Sequence, residues 1–164
     1  MFSYDRYLHF RETDAAGVVY FSEVLNLCHE AYEASLRAAG VDLKAFFSAT
    51  ETAIVPIVHA EVSFFKPLYC GDRIWIDLTL NPLESSPNSK LNSELNANLK
   101  LPVSSEFELT YKLYTTPDRS DRPVAEAKTR HVCLTTTRQR QDCSLYLGAW
   151  MALLQRDSGW GLML

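Results

Sequence analysis

Residues 12–21 read Glu12-Thr13-Asp14-Ala15-Ala16-Gly17-Val18-Val19-Tyr20-Phe21, and the chain then enters a long amphipathic stretch that ends at Gly40. The reading of this segment decides the fold. A carboxylate sits on a short loop, a glycine follows three residues later, and helical periodicity begins a few residues on. Such a junction aims unpaired backbone N–H groups and the positive end of a helix at an oxygen atom, with a carboxylate beside it. The same spacing also fits an ordinary strand-to-helix turn in which Asp14 is a solvated cap residue. Spacing alone leaves both readings open.

Downstream of the loop, the pattern predicts a helix over 20–39. Glu23, Asn26, Glu30, Glu33 and Arg37 recur at spacings of three and four and form one narrow polar stripe. Val24, Leu27, Cys28, Ala31, Tyr32 and Leu36 are among the residues on the rest of the circumference. A helix lying on an open sheet shows a wider polar face than this. It is therefore expected to be wrapped by its sheet or covered by a second subunit. Gly40 supplies the stop, and residues 41–47 suit a short helical turn.

Upstream, residues 2–11 alternate, with Phe2, Tyr4, Leu8 and Phe10 on one side, which reads as a half-buried strand delivering the chain to Asp14. Strand patterns recur over 54–65, 73–80, 107–115 and 124–135. In the last of these the face made by Ala125, Ala127, Thr129, His131 and Cys133 is small, as close approach of the helix would require. Trp75 falls on the polar side of its strand, a position that points to subunit contact. One early helix followed by strands on short connections implies an α+β fold with an antiparallel sheet. Residues 81–104, rich in Ser, Asn and Pro, read as a mobile loop. Residues 145–154 suit a short helix packing Leu147, Trp150 and Leu154.

The totals suit one domain over 1–164 with a single core: 164 residues, 47% hydrophobic and 22% charged. A formal charge of −4 argues against binding nucleic acid through phosphate neutralisation. No apolar run approaches a membrane span, and the N-terminus lacks a signal-peptide pattern. Cys28, Cys70, Cys133 and Cys143 form no Cys-x-x-Cys pair, so four free thiols and a cytoplasmic location are expected. His131 and Cys133 share one face of a strand, but no third or fourth ligand is evident, so no metal is expected.

One strand, a buried long helix and four further strands is the element order of the hotdog fold. The block from Thr13 to Phe21 resembles the signature of the 4-hydroxybenzoyl-CoA thioesterase branch of that superfamily. Cys28-His29-Glu30-Ala31-Tyr32-Glu33, Val58-His59-Ala60-Glu61-Val62-Ser63-Phe64-Phe65 and Cys70-Gly71-Asp72 are most similar to the 1,4-dihydroxy-2-naphthoyl-CoA hydrolases of phylloquinone (vitamin K1) biosynthesis. The likeness covers 2–80 and 105–135; residues 138–164 read as a C-terminal extension.

The resemblance implies a five-stranded antiparallel sheet wrapped around the central helix. It implies hydrolysis of an aromatic acyl-CoA thioester without a cofactor, in a homodimer or homotetramer with active sites at the subunit interface. Asp14 falls where the family keeps its catalytic carboxylate, as nucleophile or general base. The Phe21 N–H matches the donor that polarises the thioester carbonyl, and Gly17 lets the loop approach the acyl group. Lys66, Arg138 and Arg140 are candidates for the CoA phosphates, with solvated charges as the other reading of the two arginines. Tyr20 and Phe64 suit either an aromatic acyl pocket or core packing, and His59 either the pocket or a structural role.

Three other functions fit parts of the pattern. Hydrolysis of short aliphatic acyl-CoA or of acyl-carrier-protein thioesters would keep the same chemistry. Non-catalytic acyl-CoA-binding hotdog proteins carry a DNA-binding domain, for which the residues before Asp14 leave no room. Hotdog dehydratases need a His-plus-carboxylate pair, and His29-Glu30 sits on the wrong turn relative to Asp14.

Overall fold

The computed structural model describes residues 1–48, 53–82 and 105–155. Strand β1 spans Phe2–Tyr7, helix α1 Glu23–Ala38 and the single turn α2 Leu43–Phe46. Strands follow at Ala53–Ile54 (β2), Ile57–Phe64 (β3), Arg73–Pro82 (β4), Glu106–Tyr114 (β5), Ala125–Val132 (β6) and Leu134–Thr135 (β7), and helix α3 spans Ser144–Gln155. Five strands form one antiparallel sheet in the order β1-β4-β5-β6-β3, while β2 and β7 pair separately. Most of the expected loop at 81–104 lies outside the described residues, though its first two residues extend β4 against β5.

The sheet curls its apolar face around α1. Ile74, Ile76 and Leu78 of β4 and Leu109 and Leu113 of β5 are fully buried there, each contributing roughly 1.5–3 kcal/mol relative to exposure. The small face of β6 is buried as well, at Ala125, Ala127, Thr129 and His131. The nearly all-round apolar helix is covered within one chain, because α3 packs beside it. Trp150 is fully buried, its Nε1–H donates to Ser35 Oγ of α1 at 2.8 Å, and its ring meets Tyr32 and Phe107 edge-on. The apolar C-terminal segment is thus part of the core. Cys133 and Cys143 are both buried with their thiols in hydrogen-bonding contact, joining the end of β6 to the start of α3.

Three strand expectations are corrected. The first strand stops at Tyr7, because Leu8 N–H bonds to Asp72 O and residues Phe10–Glu12 turn into a 3₁₀ helix. Phe10 is in consequence 81% exposed. The run expected over 54–65 breaks at Pro56, which has no N–H to give; its carbonyl instead receives the Val132 N–H. The run over 124–135 breaks at Cys133, whose N–H bonds to Ser105 O, and its end becomes β7. On the outer face, Trp75 is half-buried beneath the guanidinium of Arg73 from the same chain, 5.1 Å from its ring centre.

Candidate active site

The loop 13–19 closes on itself and docks on the segment after β3. Asp14 N–H donates to Val18 O at 2.8 Å, Thr13 bridges Val19, and Val19 N–H donates to Leu68 O at 2.8 Å. Val19 and Leu68 are buried and pin this end of the loop. Gly17 adopts φ +76°, a backbone conformation that side-chain-bearing residues rarely take, and its N–H closes the turn onto Asp14 O at 3.0 Å. The Asp14 carboxylate accepts the Ala16 and Val18 N–H groups on Oδ1, at 2.8 and 3.2 Å. Oδ2 accepts no hydrogen bond from the described residues.

Helix α1 starts just beyond. Its N-cap, Ser22, makes no side-chain cap, so the first amides have no intrachain acceptor of that kind. Tyr20 N–H is held by Glu12 O at 2.8 Å, whereas the Phe21 N–H makes no backbone hydrogen bond among the described residues. The loop and the helix start converge on a cavity of about 430 Å³, within the roughly 300–1,000 Å³ usual for small-molecule sites. Among the described residues, Asp14 and Lys66 are its only charged lining groups; Tyr20, Phe21, Phe64 and Phe65 supply aromatic walls, and Val18, Val24, Pro67 and Leu68 aliphatic ones.

Five of the residues singled out from the sequence therefore come together: Asp14, Tyr20, Phe21, Phe64 and Lys66. Gly17 shapes the loop without lining the cavity. His59 does not reach it. This side chain is exposed on β3, with Nε2 3.6 Å from Glu61 Oε2, on the outer face of the sheet. Arg138 and Arg140 do not line it either. Phe64 pairs with Ala125 and Ile57 with His131, so the end of β6 lies at the far end of β3 from the cavity. Arg140 there pairs with Glu106, and Arg138 sits in a tight turn at φ +62°. Phe65 also lines the cavity, which the sequence does not foretell, because it follows Phe64 in a strand whose alternation assigns the two to opposite faces. The strand ends between them: Phe65 N–H and Lys66 N–H both donate to Val124 O.

The Cys28 thiol offers no alternative nucleophile inside the fold: burial pushes it up to about 12, where it stays protonated. No group of three or more His, Cys, Asp and Glu side chains is placed to hold a metal among the described residues. No helix among them is long and apolar enough to cross a membrane.

The antiparallel sheet curled around α1 is the hotdog fold of thioester hydrolases, and the chain belongs to the thioesterase-like superfamily, whose model matches residues 8–150. Within it, the chain is similar to the 1,4-dihydroxy-2-naphthoyl-CoA hydrolase of Crocosphaera subtropica, at 42% identity over 94% of this chain and 98% of that one. The corresponding hydrolase of Rippkaea orientalis is 45% identical over 92% of this chain and 95% of its own. Among solved structures, the 1,4-dihydroxy-2-naphthoyl-CoA thioesterase from Synechocystis superposes with a TM-score of 0.73 at 29% identity, covering 95% of this chain and 98% of the other.

Proposed function

We propose that the protein hydrolyses 1,4-dihydroxy-2-naphthoyl-CoA to 1,4-dihydroxy-2-naphthoate and CoA, a step of phylloquinone biosynthesis. The observation that carries this reading is the cavity itself. Within aromatic walls it sets one carboxylate, with an oxygen that no described residue bonds, and the Phe21 amide just before α1, likewise left without a backbone acceptor. The relatives named above, alike over nine-tenths of the chain, supply the particular substrate.

The chemistry asks for little more. The Phe21 N–H takes the thioester oxygen and stabilises the negative charge that develops there, a contribution of about 3 kcal/mol for one such donor. Asp14 acts on the acyl carbon, either directly or through a water it deprotonates. The C–S bond breaks and CoA leaves as a thiolate. With a free-thiol pKa near 8.5, about the value for cysteine, it departs without a strong general acid. Aromatic walls from Tyr20, Phe21, Phe64 and Phe65 suit a flat fused-ring acyl group. Lys66, exposed and without an ion-pair partner among the described residues, suits a CoA phosphate.

The assembly proposed is a homodimer, paired further into a tetramer, with the active site completed at the boundary. Support comes from β3, an edge strand exposed along most of its length beside the cavity. Antiparallel pairing of two β3 edges would bring the Ile57 end of one copy, with its Arg138 and Arg140, beside the Phe64 end of the other. This gives the two arginines a route to CoA that one chain alone does not. Four free cysteines suit a reducing cytoplasm.

The test is free-thiol release from 1,4-dihydroxy-2-naphthoyl-CoA, benzoyl-CoA and palmitoyl-CoA by the wild type and Asp14→Asn. A preference for the naphthoyl ester, lost at least about a hundredfold in the variant, is expected. Preference for the aliphatic ester, still dependent on Asp14, would keep the mechanism and discard the naphthoyl substrate. Activity surviving Asp14→Asn would remove Asp14 from the reaction.

A further inference from the structure

Beneath the loop lies a charged network joining three elements that the proposed mechanism does not use. Arg6 of β1 is largely buried. Its Nη2 donates to Glu12 Oε1 at 2.5 Å, and its Nη1 donates to both carboxylate oxygens of Glu30 on α1 at 2.8 Å. Glu12 is 4% exposed, a rare burial for a glutamate. Its second oxygen accepts the His9 N–H at 2.8 Å. Tyr4 adds a hydroxyl donor to Glu30 at 3.3 Å.

The backbone of Glu12 is hydrogen-bonded as fully as its side chain. The Glu12 N–H donates to His9 O at 3.0 Å, and Glu12 O accepts the Tyr20 N–H at 2.8 Å. Tyr20 O in turn accepts the Glu23 N–H at 2.9 Å. The peptide planes on both sides of Tyr20 are thereby fixed, and the second of them carries the Phe21 N–H. Asp14 follows Glu12 by two residues on the same loop. One side chain thus stands behind both the carboxylate and the amide that face the cavity.

We propose that Glu12 and Arg6 are positioning residues for the hydrolysis: they hold the Asp14 carboxylate in register with the Phe21 amide. The proposal rests on the assignment of Asp14 given above. Anchoring alone does not call for this network. The far end of the loop is held by Val19, Leu68 and backbone bonds, with no charge involved. A buried ion pair carries a desolvation cost that well-packed apolar residues avoid. What the guanidinium adds is geometric definition, because two nitrogens of one rigid group hold Glu12 and Glu30 at once. Displacement of a reacting group by about 1 Å costs on the order of a hundredfold in rate.

The experiment is steady-state kinetics on Glu12→Gln, Arg6→Lys, Asp14→Asn and the Glu12→Gln/Asp14→Asn double variant, with thermal unfolding of each. Gln keeps the volume and an acceptor for His9 N–H but loses the charge facing Arg6, which retains Glu30. The expected result is a kcat lower by roughly 10- to 100-fold with KM within about twofold. In the Asp14→Asn background the same change should cost less than about threefold, because there is no longer a carboxylate to place. Arg6→Lys, which keeps the charge and loses the fork, should lower kcat in the same direction and carries the test should Glu12→Gln fail to fold. A kcat within about twofold of wild type for both Glu12→Gln and Arg6→Lys would overturn the proposal while leaving Asp14 in place. So would an undiminished Glu12→Gln effect in the double variant. Full activity of Asp14→Asn would overturn the Asp14 assignment first and this proposal with it.

Discussion

The interior between α1, α3 and the sheet differs from the rim formed by β3 and the loop 13–19. In the interior, Trp150, Tyr32, Phe107 and Leu36 are buried to within 2%, and the one indole N–H there has a partner. At the rim, Phe21, Phe64 and Phe65 are 51–63% exposed, and β3 offers its outer edge to solvent. The interior is complete within one chain. The rim leaves aromatic rings exposed, and the cavity with Asp14 opens there. Stability and function therefore draw on different residues, and each can be disturbed with limited effect on the other.

The largest expected effect is on the interior. Trp150→Ala removes a fully buried indole and leaves Ser35 Oγ without its donor, for a loss of about 3–5 kcal/mol in urea unfolding. The kcat of the fraction that remains folded should stay near wild type. A rate loss larger than the folded fraction explains would tie α3 to the site and blur the division.

Acid should attack the interior next. His131 is fully buried and stacked on Phe107 at 4.7 Å, with Nε2 against Thr129 Oγ1 and Nδ1 without a partner among the described residues. It faces Tyr32 and His29 of α1. Burial, and secondarily the His29 charge, lowers its pKa from 6.5 to about 4. The unfolded chain then binds more protons than the folded one between those values, so stability rises with pH across that window. It is complete above about pH 6.5 and falls as pH drops toward 4, by up to about 3 kcal/mol. Unfolding free energies measured from pH 7 to 4 should show this slope, and His131→Leu should flatten it. An unchanged slope in that variant would assign the acid sensitivity elsewhere.

The smallest effect on stability, yet a clear one on assembly, is expected at the rim. Ala60 is exposed on the apolar face of β3, so Ala60→Glu costs the single chain little. Across a paired β3 edge it would bury two like charges. Sedimentation should then show a shift to monomer, with activity lower by about tenfold, roughly 1.4 kcal/mol in the barrier. A fully active monomer would show that the rim needs no second copy.

The expectations from sequence fared differently in these two regions. Periodicity places α1, α3 and the five main strands within a few residues, since a buried stripe needs apolar residues at regular intervals whatever covers it. Breaks at Tyr7, Pro56 and Cys133 were less legible. Two of them depend on carbonyls supplied by distant residues, Asp72 for Leu8 and Ser105 for Cys133. The loop residues Asp14 and Gly17 and Phe21, two residues before α1, are local in sequence, and the loop's short-range hydrogen bonds follow from local spacing. Nothing in a one-dimensional pattern pairs Arg6 with Glu12 and Glu30, because that contact requires β1, the 3₁₀ turn and α1 already in place. Nor does the pattern separate His59 and Arg138 from the cavity, which is a matter of strand register.

The amino-acid sequence by itself thus determined the elements, the core residues and the carboxylate-bearing loop, because each rests on contacts between near neighbours or on a repeating apolar face. Only the tertiary structure decided that α3 closes the interior, that Phe65 and Lys66 join Asp14 around one cavity, and that a buried arginine stands behind the loop. Those are meetings of residues far apart in the chain, and their geometry is set by packing and strand register.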